Sequence, residues 1–292
     1  MNFKKRYEEL GGKYEEVELQ TCIRFNTLKD TEKNILDRLK KRKISLTKVP
    51  FLKHGYYASA DFSLGSTADY LLGYYYLQEA AAQIPVQVLD PKSGELVVDM
   101  CASPGGKTTQ IAQTMKNNEQ LIALDVSMRV EKLKNNLERL GITNCSVYKR
   151  DARFFELPSG SKADKVLLDA PCSGNYVIEQ DWFGKRTMED IKACAKVQRE
   201  LLSAGIKNLK KGGILVYSTC SLEPEENELV IDWALKKYGE EIELVDTKLT
   251  IGDEGIVDFS GFKLDKRIKL CRRFWPHKTK TQGFFVAKIK KK

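Results

Sequence analysis

ELVVDMCASPGGKTTQIAQTMKNN, residues 95–118, is the stretch from which the fold is read. Residues 95–102 form an apolar run of strand character, SPGGK is a turn, and TTQIAQTMKNN has the composition of a helix. A buried strand followed by a glycine-rich turn that opens a helix is the setting of a nucleotide-cradling loop. The phosphate-binding pattern GxxxxGK[ST] fails on spacing, because its first glycine falls on Cys101. GxGxxG is absent too. What remains is a close-approach turn built on Gly105 and Gly106 at the end of a first strand.

The alternation continues outward from this unit. QLIALDV (120–126) reads as a second strand, and residues 127–141 as a helix ended by Gly141. SVYKRDA (146–152) and KVLLDA (165–170) are strands three and four. A long helix over 188–210 leads into GGILVYST (212–219). The next helix is expected directly after Cys220, with Pro224 in its first turn, where a missing N–H costs nothing. ELVDTK (243–248) and GFFVAKI (283–289) complete the strands. Strands alternating with helices predict an α/β fold with a doubly wound, mostly parallel sheet. Upstream, residues 67–83 are expected to form an amphipathic helix closed by Pro85. The first 60 residues read as a small α+β unit around a helix at 31–43, with strand-like pieces at 17–26 and 49–52. The division expected is a basic segment, 1–65, and a larger domain, 66–292.

Composition narrows the function classes. Of 292 residues, 42% are hydrophobic and 30% charged, as in ordinary soluble proteins. No signal peptide is expected, because MNFKKRYEELGG lacks an apolar core, and no membrane span, because the apolar stretch at 68–89 is interrupted by Asp69, Gln78, Glu79 and Gln83. Seven cysteines without a CxxC pair, and two histidines, leave little material for disulfides, a zinc site or a histidine triad. A reducing, cytoplasmic setting fits. The net charge of +9 is unevenly placed. Residues 1–60 hold fourteen Lys/Arg against eight Asp/Glu, 262–292 twelve against one, and the middle 23 against 31. Basic ends around an acidic centre suggest a catalytic body with polyanion-binding arms.

The candidate chemistry sits at strand ends. Asp125, Asp151 and Asp169 close strands two, three and four. One such aspartate is a turn or cap residue; the series, following a glycine-rich first turn, points to an adenosine-type cofactor. Cys172 and Cys220 stand in PCSG and STCS turns, each just beyond a buried strand. Cys22, Cys145, Cys194 and Cys271 read as core fillers. Cys220, ahead of an expected helix N-terminus, has the setting that favours a thiolate. A redox pair is the alternative for the two thiols, although no thiol-exchange motif surrounds them.

These residues resemble the Sun-type RNA cytosine-5 methyltransferases. The resemblance spans nearly the whole chain: RFNTLK (24–29), LQEAAAQIP (77–85), DMCASPGGKTT (99–109), LDAPCSG (168–174), YSTCSLEPEENE (217–228) and GFFVAK (283–288). In length it is most like the archaeal-type tRNA members. The resemblance implies a Rossmann-like methyltransferase fold, S-adenosylmethionine as cofactor and an RNA partner, tRNA foremost, without metal. It makes Cys220 the nucleophile, Cys172 the cysteine that assists release, and Asp169 the acid near the target base. The catalytic set also includes Lys107. Cys101, Ala102, Ser103, Pro104, Gly105, Gly106 and Lys107 match the cofactor loop. Asp125 matches the ribose-binding acid, Asp151 the position beside the adenine, and Arg129 a basic residue after strand two. Asp169 also faces the methyl donor. Ser103 departs mildly from the family, which more often has alanine there. Ribosomal RNA is an alternative substrate, DNA a more distant one, and a non-catalytic RNA-binding factor a third reading. A monomer is expected.

Overall fold

The computed structural model describes residues 2–126 and 129–292. The chain opens with α1 (Phe3–Glu9), capped by the Asn2 side chain, which accepts the Lys5 N–H. Phe3, Tyr7 and Leu10 do not join the neighbouring small sheet. They pack with Trp182, Leu222 and Trp275 of the larger domain, where Arg6 pairs with Glu223 and Glu225.

The small sheet contains β1 (Cys22–Phe25), β2 (Ser45–Lys48) and β3 (Gly55–Ser59). Helix α2 (Glu32–Lys41) starts where Thr31 accepts the Asn34 N–H, and it buries Ile35 and Leu39. Its last turn carries Arg38, Lys40 and Lys41, the favourable end for cations.

The helix expected over 67–83 does not form. It is replaced by the short α3 (Ala68–Leu71), the strand β4 (Tyr75–Leu77) and a 3₁₀ turn at Ala81–Gln83. The break is at Gly73, whose φ of +78° is left-handed and where a Cβ would lie 2.1 Å from the Arg139 carbonyl oxygen. The reversal lets β4 run antiparallel to β1, with Arg24 opposite Tyr76. The sheet order is β2-β3-β1-β4, so its last strand lies beyond the division expected at 65/66. Pro85 closes nothing. It sits in the first turn of α4 (Ile84–Leu89).

The large sheet starts with β5 (Val97–Asp99), α5 (Gly106–Met115), β6 (Leu121–Asp125), α6 (Val130–Leu140) and β7 (Cys145–Lys149). The expected start of α6, at 127, lies outside the described residues; its end at Gly141, φ +73°, is as expected. Then come β8 (Ala163–Asp169), the single turn α7 (Trp182–Lys185), α8 (Met188–Asn208), β9 (Leu209–Thr219), α9 (Glu228–Tyr238) and β10 (Ile242–Val245). The short strands β11 (Asp253–Glu254), β12 (Asp258–Phe259), β13 (Phe262–Lys263) and β14 (Arg272–Phe274) follow, then α10 (Pro276–Thr279) and β15 (Phe284–Lys291).

The strand order is β11-β14-β15-β9-β8-β5-β6-β7, with β10 on the same side of β15 as β14. Strands β7 to β9 are mutually parallel and β15 is antiparallel to β9. Alternate residues divide between two cores. Val98, Val166 and Leu215 face α8 and α9, while Val97, Leu167 and Val216 face α4 and α5. Each such fully buried aliphatic side chain contributes about 1.5–3 kcal/mol. Strand β5 lies between β6 and β8, and the chain leaves through one and returns through the other. Ligands of doubly wound sheets bind at that switch, beyond the carboxyl ends of the strands.

The basic C-terminal stretch is not a free arm. Phe284–Lys291 is β15, an interior strand, and the Lys291 ammonium donates to the carbonyls of Ile206 and Leu209 at the end of α8. Close by in the sheet, Arg273 of β14 is fully buried against Glu228 and also donates to the Leu222 carbonyl at 2.5 Å. Arg273→Ala would strand the Glu228 carboxylate and is expected to cost about 3–5 kcal/mol. Urea denaturation checks this; a loss under about 1 kcal/mol would contradict it. Among the described residues no helix is long and apolar enough to cross a membrane. Among the same residues no group of three or more His, Cys, Asp or Glu could hold a metal ion.

Candidate active site

Asp99, Asp125 and Asp169 end β5, β6 and β8, and Cys220 is the first residue past β9. Because β8 and β9 are hydrogen-bonded neighbours, the loops that leave them run side by side. The Ala170 N–H extends the ladder one residue, donating to Ser218 O at 2.8 Å. Cys172 Sγ thereby comes to 3.1 Å from Cys220 Sγ. The adjacency of β8 and β9 is what brings the two thiols together.

Several bonds hold this pair. Asn175 Nδ2 donates to the carbonyls of Cys220 (2.7 Å) and Gly283 (3.1 Å), and Asn227 Nδ2 donates to Ser221 O. The Cys172 thiol is held well above the usual range by its bond to Cys220, by burial, and by the charges of Cys220 and Glu226. One expectation fails: α9 begins at Glu228, and Pro224 lies in the turn before it, so Cys220 is not on a helix N-terminus. The intervening residues 221–227 are spent tying the loop down.

Beside the thiols, Asp169 accepts from Lys107 Nζ and from Ser218 Oγ, both at 2.7 Å. Lys107 lies in the first turn of α5. Burial opposes its charge, but Asp169 outweighs burial and the ammonium is held above its ordinary range.

The cofactor loop is folded back on β6. Ser103 N–H donates to Asp125 Oδ2 at 2.8 Å, and Arg129 reaches Asp125 Oδ1 at 3.1 Å. Ser103 Oγ donates to the Arg129 carbonyl at 3.0 Å, a bond that alanine in its place would not make. Asn136 holds the Pro104 carbonyl and Ala102 is buried against α6. Gly105, at φ +107°, supplies the left-handed turn into α5, and Gly106 packs against Tyr76 and Gln78. A cavity of about 170 Å³ opens beside this loop, lined by Met100, Cys101, Asp125, Val126, Asp151 and Pro171. Burial and three nearby aspartates push the Cys101 thiol up. Asp151 reaches the cavity wall, yet its carboxylate caps a 3₁₀ turn and is clasped by Arg153.

Two polar residues here escaped sequence reasoning. Asp99 is buried, accepts from Thr108 Oγ1 at 2.7 Å, has no partner on its other oxygen, and is pushed by burial to about 7. Glu226 is buried between the cysteine loops. Asp99 opens DMCASPGG and ends a strand as Asp125 does, so the signal was available. Glu226 was one acid among four in EPEENE, with nothing to single it out.

The family model described as 16S rRNA methyltransferase RsmB/F matches residues 86–290, and that of the N-terminal domain of RsmF matches 2–80. The chain belongs to the RsmB/F methyltransferase family. A 28S rRNA (cytosine-C(5))-methyltransferase of Mus musculus is 41% identical over 94% of this chain and 36% of its own length. For a tRNA (cytosine(49)-C(5))-methyltransferase of Pyrococcus abyssi the figures are 38%, 94% and 88%. A crystal structure of a methyltransferase homologue from Pyrococcus horikoshii superposes with a TM-score of 0.85 at 41% identity, covering 98% of this chain and 89% of the other. NSun6 from the same organism, solved with SFG, gives 0.81 at 30%, with coverages of 98% and 93%. The chain spans only about a third to a half of several curated relatives.

S-adenosylmethionine is the cofactor. The RsmB/F residues present fit it. Met100, Val126 and Pro171 give the cavity apolar walls suited to a purine, and the carboxylates of Asp125 and Asp151 on its wall are acceptors of the kind that ribose hydroxyls and an exocyclic amino group need.

Proposed function

We propose that this protein methylates C5 of a cytosine in RNA, through a covalent bond between Cys220 Sγ and C6 of the base. The observation that carries this reading is the pair of thiols 3.1 Å apart, beside the Lys107–Asp169 ion pair at the sheet's ligand-binding edge.

C5 of cytosine is too electron-poor to be alkylated directly. Attack by the Cys220 thiolate on C6 forms the S–C6 bond and moves an electron pair toward C5 and N3, making C5 enamine-like. Asp169, by taking up a proton from its partner Lys107 and donating it toward N3, would stabilise the charge that develops there, as an oxyanion hole does for an acyl group. S-adenosylmethionine, when bound, supplies the electrophilic methyl group. With the Cys220 charge spent in the S–C6 bond, Cys172 gives its own proton to solvent and then takes the C5 proton; the electron pair of that C–H bond re-forms the C5–C6 double bond and the C6–S bond breaks, returning the Cys220 thiolate. A stacked base hides C6, so the cytosine has to leave its stack. The basic face of α2 is suited to holding backbone phosphates meanwhile, with affinity falling as salt rises.

Transfer RNA is the favoured substrate, because the P. abyssi tRNA relative matches this chain over 88% of its own length. The ribosomal RNA reading draws on the RsmB/F family and the 28S relative. Labelled-methyl transfer to tRNA, ribosomal RNA and DNA substrates, followed by bisulfite mapping, tests both. Methylation of one tRNA cytosine supports the proposal; ribosomal RNA alone redirects the substrate, and DNA alone rejects the RNA reading.

A further inference from the structure

Glu226 is completely buried and lies outside the set of residues that touch the reacting atoms in the mechanism above. Its carboxylate collects four donors. Ser173 contributes its N–H at 3.0 Å and its hydroxyl, Ser221 its hydroxyl at 2.8 Å, and Gln198 of α8 its amide at 2.8 Å. Ser173 follows Cys172 and Ser221 follows Cys220, so one carboxylate joins the residues next to both thiols.

The two loops depend on this joint unequally. Cys220 directly follows β9, whose last residues are paired with β15, and Asn175 and Asn227 fix the Cys220 and Ser221 carbonyls that follow. Cys172 lies three residues past β8, in irregular chain. There the Ser173 carbonyl accepts from Trp182 and Arg186, and Gln198 reaches the Pro171 carbonyl. The Ser173 N–H and hydroxyl have Glu226 as their acceptor. Removing the carboxylate leaves two donors of Ser173 unsatisfied against one of Ser221, so relaxation falls mainly on the Cys172 side while the strand-anchored Cys220 moves less.

From this geometry we infer that Glu226 is the positioning residue of the release step: it sets Cys172 against the base that Cys220 has bonded. The inference rests on the functional reading above and assigns the residue that divides labour between the thiols. It requires the carboxylate rather than an amide. Four converging donors exceed what one amide oxygen accepts, and the amide NH₂ of a glutamine would face the donor of Gln198. Burial pushes the Glu226 carboxyl up while these donors oppose that shift. The groups facing Glu226 from neighbouring elements are Cys172, Cys194 of α8 and Tyr217 of β9, whose hydroxyl donates to the Glu226 carbonyl.

The test uses full-length enzyme, labelled substrate RNA and denaturing gels, with kcat and KM measured in parallel. Glu226→Gln and Glu226→Ala are expected to lower kcat about 100-fold, the scale of a mis-set proton-transfer group. KM should change less than about threefold, and a covalent RNA adduct should build up during turnover. Loss of structure alone would remove the adduct together with activity. Adding Cys172→Ala to Glu226→Ala should slow release no further. If the Glu226 variants prove unfolded by thermal melting, Ser173→Ala and Ser221→Ala replace them: Ser173→Ala should raise the adduct fraction more, and the reverse ranking overturns the inference. Folded Glu226 variants that turn over normally, or lose activity without adduct, overturn it as well. An adduct in Cys172→Ala but none in the Glu226 variants rejects this inference alone. No adduct in Cys172→Ala rejects the functional reading and this inference together.

Discussion

Cys220→Ala is expected to abolish methyl transfer, lowering kcat about 10⁴-fold or more, with RNA binding retained. The size follows from chemistry rather than packing. Without sulfur bonded to C6, C5 keeps its electron-poor character, and proximity of the methyl donor does not make it a nucleophile. A loss of about 10⁴ corresponds to about 5.5 kcal/mol of barrier, more than loss of one neutral hydrogen bond would account for. The side chain is half-buried and sits on a loop anchored by Asn175 and Asn227. Its removal should therefore leave the melting temperature nearly unchanged. A labelled-methyl assay beside a thermal melt separates the two effects. Cys145 provides the control. Burial raises its thiol to about 12, well outside the range of a thiolate at neutral pH, and Cys145→Ala should keep most activity.

Cys172→Ala is expected to do the opposite of an ordinary inactivating change. The first bond still forms and the last step stalls, so enzyme and RNA should migrate together on a denaturing gel. The 3.1 Å contact between the sulfurs supplies the reason. The contact with Cys220, burial and the nearby Glu226 charge all push the Cys172 thiol up. It is unsuited to attack but well placed to manage protons once Cys220 is occupied by the base. Multiple turnover should fall by about 10²–10⁴, the usual range for a lost acid–base group. The double variant lacking both thiols should show no adduct. A Cys172→Ala enzyme that turned over normally would remove this residue from the mechanism.

The parallel core was legible because its strands are short apolar runs bounded by turns, and burial on both faces leaves such runs few alternatives. Val166–Leu168 and Leu215–Val216 form strands as their composition implied, and the ladder makes those strands neighbours. The meeting of Cys172 with Cys220 followed from that adjacency. Residues 67–83 misled because their apolar spacing satisfies a helix as well as a short strand between two turns. Gly73, forced into a left-handed φ against Arg139, decided the matter, and Arg139 is distant in sequence. The stretch after Cys220 misled for a related reason. Pro224 suits the first turn of a helix equally well as the tight turn it occupies, and the contest was settled by partners such as Ser173 and Gln198. Charge alone made the C-terminus a polyanion-binding arm, whereas GFFVAKI (283–289) read as a strand, and the strand is what forms. Its alternate residues Phe285, Ala287 and Ile289 are buried, and pairing with β9 and β10 makes it an interior strand.

The most direct test of the account is to digest the RNA–protein adduct of Cys172→Ala with nuclease and protease and to sequence the modified peptide by tandem mass spectrometry. The account predicts a cytosine nucleotide bonded to Cys220, within the peptide that carries STCSLEPEENE. A nucleotide bonded to any other residue, or an adduct that persists when Cys220 is also replaced, would contradict it.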